Sequence, residues 1–169
     1  KTDIGGVKLG INSEKEAEDA FSEITLNARK FMPSAFINGV MVYETAQKGK
    51  EVILGVTYDR TFGHMIMFGL GGIYVEVLKD ISFRIAPVSF SDAVEMVREI
   101  RTFPILKGVR GEKSADIDSI IENILRLSKL VSDFPVIQEL DINPLVVHEK
   151  GATALDARII ISHDDKGGI

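Results

Sequence analysis

The residues with the clearest chemical potential lie near the end of the chain. Two apolar-rich runs, 136–147 and 152–161, flank a short polar stretch that ends in Gly151, a pattern that predicts a β-hairpin. A loop of two or four residues centred between Glu149 and Lys150 makes the numbers of opposing residues sum to 299. Asn143 then faces Asp156, and Asp141 faces Arg158 on the same side. Leu140, Ile142 and Val146 point the other way, with Ala157 and Ile159, as the buried side. Opposed side chains have Cβ atoms ~5 Å apart. Two hard oxygen donors so placed suit Mg²⁺, which takes one or two protein ligands and shares the rest of its shell with water and phosphate oxygens. The same residues also fit a plain polar hairpin face, with Asp141 and Arg158 as a surface ion pair and Asn143 as the turn-favouring residue before Pro144. A loop of three or five residues would break the pairing.

Other candidate features carry less. Gly69-Leu70-Gly71-Gly72 does not match a dinucleotide fingerprint, because position 74 is Tyr and the following residues read as strand. The run from Gly108 to Ser114 has the wrong spacing for a phosphate-binding P-loop and reads as a linker between helices. Gly5-Gly6 fits a backbone cradle for phosphate and equally a plain turn. His64 sits among Met65, Ile66 and Met67, His148 falls in the hairpin turn and His163 in a polar tail, so no Ser/His/Asp set emerges.

The elements that must position the hairpin follow from hydrophobic period. Residues 7–11 read as a short strand, and Asn12, Ser13 and Glu16 as a capped helix start. The stripe Ala17, Ala20, Phe21, Ile24, Ala28 and Phe31 continues that helix to just before Pro33. Residues 35–45 and 51–59 read as an antiparallel hairpin, and 65–68 and 73–85 as further strand segments closed by Pro87. Helices are expected over 91–102 and 116–132, the second with an apolar face broad enough to lie on a sheet.

Composition limits the function classes. The chain has 169 residues, 45% hydrophobic and 27% charged, and no Cys. It can bury a core, and thiol chemistry, disulfides and Cys-based zinc sites are excluded. With 20 basic against 25 acidic residues, net −5, it offers no basic footprint for nucleic acid or an anionic membrane. The longest nearly uncharged stretch, 61–75, is interrupted by His64 and four glycines and is too short to span a bilayer. The opening Lys1-Thr2-Asp3-Ile4-Gly5-Gly6-Val7 lacks an initiator Met and reads as part of a longer chain.

Five segments in order carry a family resemblance: residues 1–7, Lys50-Glu51-Val52-Ile53-Leu54-Gly55, 67–76, 106–111, and Glu139-Leu140-Asp141-Ile142-Asn143-Pro144-Leu145. Together they resemble the ATP-grasp components of NDP-forming acyl-CoA synthetases, in particular the beta subunits of the ADP-forming acetyl-CoA enzymes. The last segment, with Leu155-Asp156-Ala157-Arg158, is also similar to the beta subunit of succinyl-CoA synthetase. The resemblance implies an α+β ATP-grasp fold whose first lobe lacks its N-terminal part here. Residues 1–42 would be the remainder of that lobe, and 43–169 the hinge and second lobe.

In such a protein Lys1 would contact phosphate beside the Gly5-Gly6 loop. Val42, Tyr43 and Glu44 would form the hinge strand that meets adenine, and Glu51 would lie near the nucleotide. Asn143 and Asp156 would ligate Mg²⁺, and Asp141 would orient a phosphorylated histidine. Arg84 and Lys79 are further candidates for neutralising phosphoryl charge. The implied ligands are ATP or ADP and Mg²⁺, and the implied partner is a CoA-binding alpha subunit, or a fused domain, that carries the relay histidine. That is a hetero-oligomeric, cytoplasmic setting. Two other readings are a regulatory ATP-grasp-like domain of a protein acetyltransferase and a structural scaffold subunit, and the polar hairpin face speaks against the scaffold.

Overall fold

Ser13 starts the first helix as its residue type predicts. Its hydroxyl accepts the N–H of Glu16 at 3.2 Å, and the Glu16 carboxylate accepts the N–H of Asn12 at 2.7 Å, so two otherwise orphan donors are satisfied. The computed structural model describes residues 4–72, 78–109 and 111–162, and the chain divides into two compact units, Lys1–Ala46 and Gln47–Ile169.

The first unit is built on helix α1, Glu14–Phe31, none of whose residues is buried. The segment before it is tied to the helix by Lys8 with Glu23 at 2.6 Å and by the Asn27 amide donating to the Gly5 carbonyl at 3.3 Å. Gly5 has φ +67°, and a Cβ there would lie 2.6 Å from Asn27 Nδ2. The positive φ is one that glycine adopts without strain, so this turn has a structural reason of its own.

The second unit is a six-stranded antiparallel sheet backed by helices. Strands β1 (Lys50–Asp59), β2 (Gly63–Leu70) and β3 (Ile81–Ile85) precede helices α2 (Phe90–Glu99), α3 (Phe103–Leu106) and α4 (Ile117–Asp133). Strands β4 (Ile137–Val147), β5 (Ala152–Ala154) and β6 (Ala157–Ile161) complete it. The sheet order is β3-β2-β1-β4, with β5 and β6 both paired to β4. Val52, Leu54 and Val56 of β1, Ile66, Phe68 and Leu70 of β2 and Leu140 and Leu145 of β4 form one core with Met96 and Val97 of α2 and Ile120, Ile124 and Val131 of α4. Both long helices therefore cover the same sheet face, and the Val88 N–H donates to the buried Ser128 hydroxyl at 2.8 Å to fix the β3–α2 connection.

Two strand expectations fail for one reason. Residues 7–11 and 35–45 adopt no regular structure, and Leu9, Phe36 and Val42 are largely exposed. Local β propensity reports fitness for a pleated, half-buried surface and needs a pairing edge. The edge expected for 35–45 does not exist, because β1 pairs with β2 on one side and β4 on the other. Of the strand expected over 73–85, Ile81–Ile85 is present, 78–80 is not strand, and 73–77 lies outside the described residues. The buried side of the last hairpin also stops short. Ile159 is 54% exposed on β6, a strand paired only to β4.

Asp116 couples α4 to the hairpin. Its carboxylate caps the helix at the Ser119 N–H, 3.0 Å, and accepts the Gly151 N–H at 2.7 Å. These bonds, that from Gly151 foremost, hold its pKa below the ordinary value. A lowered carboxyl contributes stability above its unfolded value and loses it as pH falls through the folded one. Asp116→Ala is expected to cost ~1 kcal/mol at pH 7, with the difference from wild type narrowing below pH ~4, as urea melts at a series of pH values would read.

Candidate functional site

The turn at the end of β4 sets the site. Val147 pairs with Ala152, so His148, Glu149, Lys150 and Gly151 form a four-residue loop, and the His148 N–H donates to the Gly151 carbonyl at 3.0 Å. Gly151 has φ +79°, which glycine adopts without strain. From that loop the register runs unbroken through Leu145 with Ala154, Ile142 with Ala157 and Asp141 with Arg158. Between them the Asn143 N–H donates to the Asp156 carbonyl at 3.1 Å. Asn143 and Asp156 thus stand directly opposite one another, in the register the loop length predicts.

A bulge sharpens this arrangement. On β1, Val52 pairs with Leu145 and Leu54 with Ile142, so Asn143 and Pro144 together oppose the single residue Ile53. The extra residue reverses which alternate positions of β4 meet the core, from Leu140 and Ile142 before it to Leu145 and Val147 after it. Val146, expected beside Leu140, is buried but pairs instead with Glu51.

The face away from the helices collects the polar groups. Arg158, Asp141, Gly55, Met67 and Phe83 are successive register partners across β6, β4, β1, β2 and β3 and form one row. Burial pushes the Asp141 carboxyl above its ordinary pKa, Arg158 opposes the rise, and the negative charge of Asp156 adds to it. Asp141, Asp156 and Arg158 therefore act on one another within a single electrostatic cluster, with Asn143 beside Asp156. Asn143 and Asp156 supply only oxygen donors, the chemistry Mg²⁺ accepts, and as two ligands they suit a cation shared with phosphate rather than a closed protein cage.

The remaining candidates are placed variously. Glu51 follows the same face of β1, about 13 Å along the strand from Gly55 at ~3.3 Å per residue. Gly71 packs against it, its N–H donating to the Glu51 carbonyl at 2.7 Å. Arg84 is not brought to the cluster. It pairs with Ile66, a core residue, so it lies on the helix side, where its guanidinium makes two 2.9 Å bonds to Glu99 and approaches Glu95 at 3.5 Å. That pairing anchors β3 to α2. Lys79 has φ +49° and lies in the connection before β3. Val42, Tyr43 and Glu44 belong to the first unit and are exposed. Gly5 and Gly6 form the turn described above. Lys1 lies outside the described residues. His64 is structural, its Nε2 2.7 Å from the Ile137 carbonyl and its ring edge-on to Tyr58.

Residues 1–161 match the model of the ATP-grasp domain. The chain belongs to the ATP-grasp family. This ATP-grasp chain is 48% identical over 161 residues to the acetate–CoA ligase (ADP-forming) I subunit beta of Pyrococcus furiosus, covering 95% of itself and 69% of that relative. It is 51% identical over 164 residues to acetate–CoA ligase (ADP-forming) I of Archaeoglobus fulgidus, and there it spans 97% of itself but 24% of the longer relative. A solved structure of the dinucleotide-forming acetyl-coenzyme A synthetase 1 of Ca. Korarchaeum cryptofilum superposes with a TM-score of 0.83 at 38% identity, covering 96% of this chain and 70% of that one. That structure holds coenzyme A and Mg-AMPPCP, with its phosphohistidine segment pointing towards the nucleotide binding site. The α+β ATP-grasp fold is thereby shown, and the chain matches the nucleotide-binding component of ADP-forming acyl-CoA synthetases. The regulatory-domain reading is not favoured.

Among the described residues no helix is long and apolar enough to cross a membrane.

Proposed function

We propose that this chain binds ADP or ATP with Mg²⁺ and exchanges a phosphoryl group between the nucleotide and a histidine carried by a CoA-binding partner, a separate alpha subunit or a fused domain, in the cytoplasm. In the ATP-forming direction the partner converts acyl-CoA and phosphate to acyl phosphate and CoA. The acyl phosphate gives its phosphoryl group to the histidine and leaves as the free acid. The phosphohistidine P–N bond then breaks as a terminal oxygen of ADP forms the new P–O bond, which yields ATP and free histidine.

The observation that carries this reading is the opposition of Asn143 and Asp156 beside the Asp141–Arg158 pair. The Asn143 side-chain carbonyl and the Asp156 carboxylate would hold Mg²⁺, which when bound neutralises charge on the phosphoryl oxygens. Asp141 accepts the N–H of the imidazole nitrogen that is not phosphorylated and so orients the ring, while Arg158 favours the ionised form of Asp141 that accepting this bond requires. Lys1, Gly5 and Gly6 are assigned to the phosphates, Val42, Tyr43 and Glu44 to adenine, and Glu51 to the nucleotide's surroundings. Arg84, committed to Glu99, is left a structural role.

The test combines the chain, as its whole gene product with its histidine-bearing partner, with ATP labelled at the γ-phosphate. An acid-labile, base-stable phosphoprotein is expected with Mg²⁺ and none with a chelator. Absence of label in the wild-type assembly with Mg²⁺ would overturn the proposal.

A further inference from the structure

The boundary between the two compact units falls between Ala46 and Gln47, and residues just beyond it are fastened one after another to the sheet unit. Among the described residues, 36–47 enter no hydrogen bond or ion pair. The change at Lys48 is abrupt. Its carbonyl oxygen lies 3.3 Å from His148 Nδ1. Gly49 follows, so close to the end of β4 that a Cβ would stand 2.5 Å from the Val147 carbonyl oxygen and 2.7 Å from Val146 Cγ1. The first of these is backbone and cannot swing away, so a residue without a side chain is what brings the linker this near. Lys50 then pairs with Val147 as the first residue of β1 and forms an ion pair with Glu112.

His148 is held ready to receive that linker. Its backbone is fixed on both sides, the N–H donating to the Gly151 carbonyl at 3.0 Å and the carbonyl accepting the Asp116 N–H at 2.8 Å. Its ring is engaged at both nitrogens. A carbonyl only accepts, so Nδ1 carries the proton toward Lys48, and in the neutral ring Nε2 accepts the Thr153 hydroxyl at 3.2 Å. One tautomer satisfies both bonds. We infer that His148 is a clasp that holds the linker to the hairpin loop and confines bending between the two units to Ala46–Gln47, with Gly49 the residue whose bare backbone lets the clasp close. The same loop sets the register of Asn143 with Asp156. The clasp therefore makes the linker bend before it reaches that hairpin, whose pairing stays undisturbed when the first unit moves. It stands whether or not the chain exchanges phosphoryl groups.

The experiment uses the whole gene product with its partner and compares wild type with His148→Ala, His148→Asn and His148→Gln. The Asn amide nitrogen takes the place of Nδ1, whereas the Gln amide reaches the place of Nε2, so this pair separates the bond to Lys48 from mere side-chain size. Amide hydrogen exchange is read over 47–50. The chain has no Cys, so spin labels on Lys15→Cys and Arg126→Cys, both exposed positions, report the spread of distances between α1 and α4. The expected result is exchange over 47–50 about fivefold faster in the Ala and Gln variants, as loss of one hydrogen bond implies, and within about twofold of wild type in the Asn variant. The distance distribution should broaden in the first two alone, with the melting temperature held in all three. Wild-type exchange or an unbroadened distribution in the folded Ala or Gln variant would overturn the inference. So would equal acceleration in the Asn and Gln variants, or faster exchange throughout the sheet with a lowered melting temperature, the mark of a general loosening. The Asn and Gln pair decides the matter should the Ala variant fail to fold.

Discussion

Asp156→Ala is expected to slow histidine phosphorylation by roughly 100-fold or more while leaving the fold intact. On the proposed reading the activity should collapse because the substitution would remove one of two protein ligands to the cation, and charge neutralisation at the transferring phosphoryl group is the main service a protein renders to this reaction. The fold should survive because Asp156 is exposed, between two short strands on the polar face, where a substitution changes stability by about 0.5 kcal/mol or less. The backbone bond from the Asn143 N–H to the Asp156 carbonyl does not depend on the side chain. Measured labelling rates, set beside thermal melts of the same preparation, check both halves. A variant that labels at the wild-type rate would remove Asp156 from the metal site. An acetyltransferase-type regulatory domain would instead show no phosphohistidine in wild type and only altered ligand affinity in the variant.

Phe68→Ala is expected to give the largest loss of stability of any single truncation in the sheet unit. Phe68 is fully buried at the centre of β2, paired with Leu54 and Ser82 under the helical layer. Removing so large a side chain from a packed core costs about 3–5 kcal/mol, from lost transfer energy and the cavity left behind, against a total of roughly 5–15 kcal/mol for an ordinary domain. Phe83→Ala offers the control. It lies one strand over on the opposite face and is 44% exposed, so its cost should be far smaller. Urea denaturation of the two variants separates the faces. Equal losses would mean that the face bearing Asp141 is as tightly covered as the helix side.

Much of the site is legible in the chain itself, because hairpin register is a local property. Once 136–147 and 152–161 are read as strands, an even-length loop centred on Glu149 and Lys150 forces Asn143 opposite Asp156 and Asp141 opposite Arg158, and the alternation of side chains does the rest. Helix caps are equally local. Ser13 with Glu16, read as a cap from residue type and spacing, bonds as expected, and Ser89 and Asp116 bond just as locally, although the helix expected from 91 begins at Phe90. Nonlocal pairing decided the remainder. Residues 7–11 and 35–45 carry strand-forming side chains but no pairing edge, and β1 could not serve 35–45 because the adjoining β2 and the sequence-distant β4 occupy both its sides. Arg84 looked available for phosphate because the period of β3 alone does not say which face meets the helices. Only pairing with Ile66 put it beside Glu99. The bulge at Asn143–Pro144 belongs to the same class. It exists only against β1, where two residues must share the one partner Ile53. The sequence by itself therefore determined which oxygen donors oppose each other, and the tertiary structure decided which face they share and what stands beside them, because faces are set by partners that no local pattern names.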